Sequence, residues 1–94
     1  MRPLKCKQTL EQLRSEIDDI DSRILELIKK RIMIALEMGD LKKEQGRVVR
    51  DTARETQVLE RIAALNSQSE PRLTEEDLRT LYSHLMTICL KVQK

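Results

Sequence analysis

The chain has 94 residues, 36% of them charged, yet its net charge is only +2. Tyr82 is its one aromatic residue, so the large side chains that usually dominate a core are missing. These figures describe a single small domain, residues 1–94, that has difficulty burying enough apolar surface alone, and they predict self-association. Balanced charge suits solvated helix faces better than a polyanion-binding surface, and one tyrosine offers no stacking platform, so nucleic-acid binding is not expected. The opening "MRPLKCKQ" lacks the apolar run of about 7 to 15 residues that a secretory signal requires. No stretch of roughly 18 apolar residues could span a bilayer, so no membrane association is expected and a cytoplasmic location is. Cys6 and Cys89 form neither a CxxC pair nor a metal-ligand spacing with the single histidine, His84, so both read as reduced thiols with no metal site.

From Leu10 the apolar positions fall at Leu10, Leu13, Ile17, Ile20, Ile24, Leu27, Ile34, Met38 and Leu41. Steps of three and four with one vacancy predict a heptad-like helix from about Leu10 to Gln45. Thr9 and Gln12 form a capping box at its start, and Gly46 is a natural C-cap. Such a helix is roughly 54 Å long at 1.5 Å per residue. A globule of this size has a radius of gyration of only about 12 to 13 Å, so the rod calls for a partner subunit. Thr52 and Glu55 repeat the capping-box pattern and open a second helix, with Val58, Leu59, Ile62 and Leu65 as its apolar face, up to the polar break "NSQSEPR". Thr74, followed by Glu75, Glu76 and Asp77, starts a third, whose stripe runs Leu78, Leu81, Tyr82, Leu85, Ile88, Cys89 and Val92. No strand pattern appears, and the fold class is all-α: three helices, the N-terminal one very long.

The vacancy in the first stripe is Arg31. Its neighbours three and four residues away are Leu27, Ile28, Ile34 and Ala35, so no carboxylate on its own helix neutralises it. Lys42, eleven residues on, has Met38, Gly39, Gln45 and Gly46 around it and also lacks a local counter-ion. Arg23, between Asp19 and Glu26, does have one. A cation taken out of water without a partner costs on the order of several kcal/mol, which leaves two readings. One is a cross-subunit salt bridge, or an arginine that snorkels to water. The other is a pocket for an anionic ligand between two cations whose backbones are about 16 Å apart along the axis. Gly39 leans toward the second, since a mid-helix glycine often marks the close approach of a ligand or another backbone. Arg14 borders the same stripe but lies about 25 Å from Arg31, so it can join such a pocket only from another subunit. Glu11 and Asp18 could equally hold it in a surface ion pair. Gln93, beside Val92 at the edge of the third stripe, reads on local grounds as a solvated residue at a helix end liable to fray.

Together, "LRSEIDDIDSRILELIKKR" (13–31), "MGDLKKEQGRVVRDTARE" (38–55) and "LYSHLMTICLKVQ" (81–93) resemble the all-helical chorismate mutases. The LRxxIDxID opening, the R-x10-K spacing and the RDxxRE segment occur in the same order and at the same separations. The resemblance implies an intertwined homodimer of three-helix subunits whose two active sites are each completed by an arginine of the other chain. It implies the rearrangement of chorismate to prephenate, a unimolecular pericyclic reaction that needs no nucleophile, metal or cofactor. What that chemistry requires is a cavity holding the dianion folded over itself, with donors aimed at the ether oxygen where negative charge grows. By matched position, Arg31 and the partner's Arg14 hold the two carboxylates, Lys42 reaches a carboxylate and the ether oxygen, and Gln93 is the second donor to that oxygen. Asp51, Arg54 and Glu55 surround the ring hydroxyl, with Glu55 accepting its hydrogen bond. Cys89 stands where relatives often have Ser near a carboxylate, and a thiol is the weaker donor.

Two other readings compete. Isochorismate-pyruvate lyases share the fold and the cationic pocket but resemble the mutases poorly over RDTARE, which is intact here. A non-catalytic helical regulatory or dimerisation domain is the other, and the complete set of cations and donors argues against it. Mutase domains of this type are often fused to other shikimate-pathway enzymes, so the chain could be one domain of a longer protein.

Overall fold

Thr9 and Gln12 cap the chain's first helix reciprocally, as the sequence predicts. The Thr9 amide donates to Gln12 Oε1 at 2.8 Å and the Gln12 amide to Thr9 Oγ1 at 3.1 Å, so two otherwise orphaned donors are satisfied. The computed structural model describes residues 8–94, and among them there are three helices: α1 (Leu10–Glu44), α2 (Thr52–Ser67) and α3 (Glu75–Gln93). All-α architecture with one very long N-terminal helix is therefore the fold. Cys6 lies outside the described residues. None of the helices among the described residues is long and apolar enough to cross a membrane. Helix α1 contributes to two separate units, its residues up to Arg31 to the first and those from Ile32 to the second.

In the first unit the helix keeps its apolar stripe bare. Leu10, Ile17, Ile20, Ile24 and Leu27 are all between 48% and 64% exposed. Ile17, Ile20, Ile24 and Leu27 are spaced by three and four residues, and Leu10 lies two turns earlier, with the half-buried Leu13 between. They form one side, a concentration of apolar surface that a monomer does not ordinarily leave in water.

The second unit holds the last part of α1 together with α2 and α3. Here α1 turns Ala35 and Gly39 inward, both buried, with Lys42 half-buried on the same side. The stripe that periodicity picks out, Ile34, Met38 and Leu41, lies on the neighbouring face and stays exposed. Small residues thus face the interior of the chain. The helix then stops through two hydrogen bonds to its last turn: Arg47 N–H donates to Lys42 O at 2.7 Å and Gly46 N–H to Lys43 O at 3.2 Å. That Schellman pattern needs a left-handed residue, and Gly46 supplies it at φ 66°.

Helix α2 departs from expectation at its first residue. The cap is Asp51, in extended conformation, whose Oδ1 accepts the Arg54 amide at 3.0 Å; Thr52 is already helical. An aspartate at this position is at least as good a cap as threonine, and its carboxylate also meets the positive end of the helix dipole. Asp51→Ala should accordingly lower unfolding free energy by roughly 1 kcal/mol and Thr52→Ala by only a few tenths. Urea denaturation of the two variants checks this, and a larger loss at Thr52 would return the cap to that residue.

Asn66 ties the end of α2 to the start of α3. Its amide nitrogen donates to Leu73 O at 2.9 Å and its oxygen accepts the Leu73 amide at 3.0 Å, closing the polar connection. Thr74 then caps α3 by accepting the Asp77 amide at 3.1 Å, as predicted, and three acidic residues fill the first turn. Between them α2 and α3 supply most of a small core: Ile62, Leu78 and Cys89 are buried, with Leu59, Tyr82 and Leu85 half-buried around them. The predicted α3 stripe is split. Leu78, Tyr82, Leu85 and Cys89 turn inward, while Leu81 and Ile88 remain 58% and 43% exposed.

Candidate functional site

The Schellman turn at Gly46 sends the chain back beside α1, and the carbonyl of Val49 arrives next to the side chain of Lys42. Lys42 Nζ donates to Val49 O at 2.7 Å and to Gln93 Oε1, also at 2.7 Å. Both acceptors are neutral. They compensate the half-buried ammonium for part of its lost hydration while leaving its positive charge in place. A lysine ammonium carries three N–H groups, so one remains for a further acceptor.

Gln93 is the second member of this pair. It is only 8% exposed, which corrects the local expectation of a solvated, fraying residue: the last turn of α3 is held against α1. Lys42 also fixes which way the amide points. An ammonium can only donate, so Gln93 turns its oxygen to Lys42 and its NH2 group to the other side. Two donors, one cationic and one neutral, are thus locked together by their own contact. Cys89, one turn earlier on α3, is buried at 4% exposure.

The RDTARE segment is organised around two contacts. Asp51 is used in the α2 cap, with Arg54 exposed just inside it. Glu55 does not cap at all, so the expected capping box with Thr52 is replaced by a fork in which Arg50 Nε and Nη2 donate to Glu55 Oε2 and Oε1 at 3.2 and 3.3 Å. The two side chains are 62% and 30% exposed. A pair this open to water contributes about 0 to 1 kcal/mol, so the Glu55 carboxylate can be shared with another donor at little cost.

Arg14 and Arg31 belong to the first unit. Arg14 is exposed and, among the described residues, forms no ion pair with Glu11 or Asp18; Arg31 is half-buried. Among the described residues, no group of three or more His, Cys, Asp or Glu is arranged to hold a metal ion.

A family model described as chorismate mutase type II matches residues 13–94. The chain belongs to the chorismate mutase type II family. That family is one of isomerases, as the sequence resemblance implies. Among similar proteins is the bifunctional chorismate mutase/prephenate dehydratase of Aquifex aeolicus, 31% identical over 88 residues, which are 93% of this chain and 24% of the relative. Another is the chorismate mutase of Methanocaldococcus jannaschii, 34% identical over 58 residues, covering 62% of this chain and 59% of that one. The chain spans about a quarter of the length of the bifunctional relatives it matches. A solved structure of a conserved hypothetical protein from Pyrococcus furiosus is similar with a TM-score of 0.74 and 33% identity, over 94% of this chain and 99% of that one.

Within this mutase-family chain, two contacts carry no signal in the sequence. Every residue has a carbonyl, so nothing marks Val49 as the one beside Lys42. Arg50 and Glu55 are five residues apart across a helix start, outside the three- and four-residue spacings by which helical ion pairs are recognised.

Proposed function

We propose that the chain is a chorismate mutase, rearranging chorismate to prephenate, and that Lys42 and Gln93 are the donors to the breaking ether bond. The observation that carries this is their mutual hydrogen bond at 2.7 Å. As the C–O bond lengthens, charge accumulates on the ether oxygen, and the third N–H of Lys42 and the NH2 of Gln93 are the groups free to meet it. Neither has to be reorganised during the reaction, because each orients the other. Arg31 takes one substrate carboxylate, which the Lys42 charge also attracts, and Lys42 can share its third N–H between that carboxylate and the ether oxygen. Cys89 lies near a carboxylate as the weaker donor; Asp51, Arg54 and Glu55 enclose the ring hydroxyl, with Glu55 shared between that hydroxyl and Arg50. The reaction calls for no cofactor. Substrate folding and electrostatic stabilisation supply the catalysis.

The assembly proposed is a homodimer in which Arg14 of one chain completes the site of the other. The bare stripe of Leu10, Ile17, Ile20, Ile24 and Leu27, and the exposed Ile34, Met38 and Leu41 further along, support a second copy of the same helix as the cover. The bifunctional names among the relatives support a fusion to another enzyme of the same pathway.

Incubation with chorismate and, separately, with isochorismate tests the function. Prephenate from chorismate is the expected product. Salicylate and pyruvate from isochorismate, with chorismate left untouched, would make the chain a lyase, and inertness toward both would make it a binding domain.

A further inference from the structure

Gly39 is buried one turn before Lys42 on α1, and a Cβ built there would stand 2.8 Å from Gln93 Cα, 3.0 Å from Gln93 O and 3.1 Å from Gln93 Cβ. The first two are backbone atoms of the last turn of α3, which cannot swing aside as a side-chain tip could. Ala35 and Gly39 on α1, and Cys89 and Gln93 on α3, are all buried and each pair is spaced by four residues. Small residues on facing helical turns permit a close approach of the two backbones, and glycine permits the closest. A helix interior otherwise disfavours glycine relative to alanine, so its presence needs such a cause.

We infer that Gly39 is a positioning residue of this site: its missing side chain lets the last turn of α3 come close enough to α1 for Gln93 Oε1 to reach Lys42 Nζ. The inference rests on the reading of Lys42 and Gln93 as the two donors. A methyl group at position 39 pushes the turn outward by a few tenths of an ångström or more, lengthens the contact, and releases the amide whose orientation Lys42 sets. Arg31 and the partner's Arg14 still hold the substrate carboxylates in this reading, so the loss falls mainly on the rate of the bound substrate and less on its binding.

The test is Gly39→Ala in the full chain, with Asp40→Ala, an exposed neighbour on the same helix, as the control. Gly39→Ala is expected to lower kcat about 10- to 100-fold with KM changed less, since a misplacement near 1 Å costs up to about 100-fold. Asp40→Ala should stay near wild type. In a Gln93→Ala background the further loss from Gly39→Ala should shrink to about twofold, because the group it positions is already gone. Unchanged kcat in Gly39→Ala, or an equal loss in both backgrounds, overturns the inference. The side-chain NH2 resonances of Gln93 give a readout without activity: they should shift in Gly39→Ala and not in Asp40→Ala. Should the wild-type chain prove inactive on chorismate, the functional reading fails, and unshifted Gln93 resonances would then overturn the positioning role separately. If Gly39→Ala does not fold, deleting Gln93 and Lys94 in the same chain takes away all three atoms that the methyl group meets and should recover folded protein; no recovery overturns the inference.

Discussion

Lys42→Ala should lower kcat by at least 10²- to 10³-fold, about 2.7 to 4 kcal/mol of transition-state stabilisation, the usual effect of deleting one preorganised donor to developing charge. Two losses combine at this residue. The cationic donor disappears, and Gln93, no longer facing an obligate donor, is free to flip its amide and present oxygen where NH2 is needed. Gln93→Ala removes only the neutral donor and should fall in the same range or somewhat below it. Because the two side chains act as a unit, the double variant should be far less impaired than the product of the single effects. Steady-state kinetics with chorismate, beside thermal unfolding to confirm that each variant is folded, reads these outcomes directly. Arg23→Ala is the reference: Arg23 is exposed on the first part of α1 and should change turnover little. Small and equal effects at Lys42, Gln93 and Arg23 would remove both donors from the proposed mechanism.

The contrast between Lys42 and Gln93 shows what the sequence could reveal. Lys42 is conspicuous because the anomaly is local: its helical neighbours lack a carboxylate, and helix geometry fixes those neighbours once the element is recognised. The same locality explains why the caps at Thr9 and Thr74 and the glycine at Gly46 were readable, since each satisfies its own helix end within four or five residues. Gln93 was not readable. Its contact is 51 residues away in sequence, and its backbone lies against a glycine on another helix. Locally it is only a polar residue at a helix end, and its expected role came from family resemblance. Thr52 failed for a different reason. Two adjacent residues could each cap α2, and propensity barely separates them; the choice fell to Asp51 while Arg50, which no helical spacing connects to Glu55, took the carboxylate that a Thr52 box would have used.

The apolar stripes were recognised as stripes but not for what they face. Periodicity marks Ile34, Met38 and Leu41 as a face to be covered, whereas within the second unit it is Ala35 and Gly39, on the adjoining side, that are buried. A hydrophobic pattern records that a surface leaves water and not whether the same chain or another covers it. Leu81 and Ile88 on α3 repeat the ambiguity, being part of one predicted stripe yet left exposed beside the buried Leu78 and Cys89.

The most demanding expectation concerns Arg14. Each of Arg14→Ala and Arg31→Ala should be nearly inactive alone, because one substrate carboxylate then faces no guanidinium and the dianion is poorly held. If Arg14 acts on the partner's site and Arg31 on its own, a heterodimer of the two variants has one site with both arginines missing and one with both intact. Random re-association of equal amounts in a closed twofold dimer gives half heterodimers with one working site in two, so activity should recover to on the order of one quarter of wild type. Denaturing the variants together, refolding them and assaying with chorismate measures that fraction against each variant refolded alone. The matching control is Arg31→Ala mixed with Lys42→Ala. Both residues lie on one continuous helix, α1, and the proposal places them in the same site; every site of that heterodimer then lacks one of them, and no recovery is expected. Recovery in the first mixture and silence in the second would establish a shared site with Arg14 in trans. Silence in both would confine the site to a single chain or remove Arg14 from it, and recovery in both would separate Arg31 from Lys42.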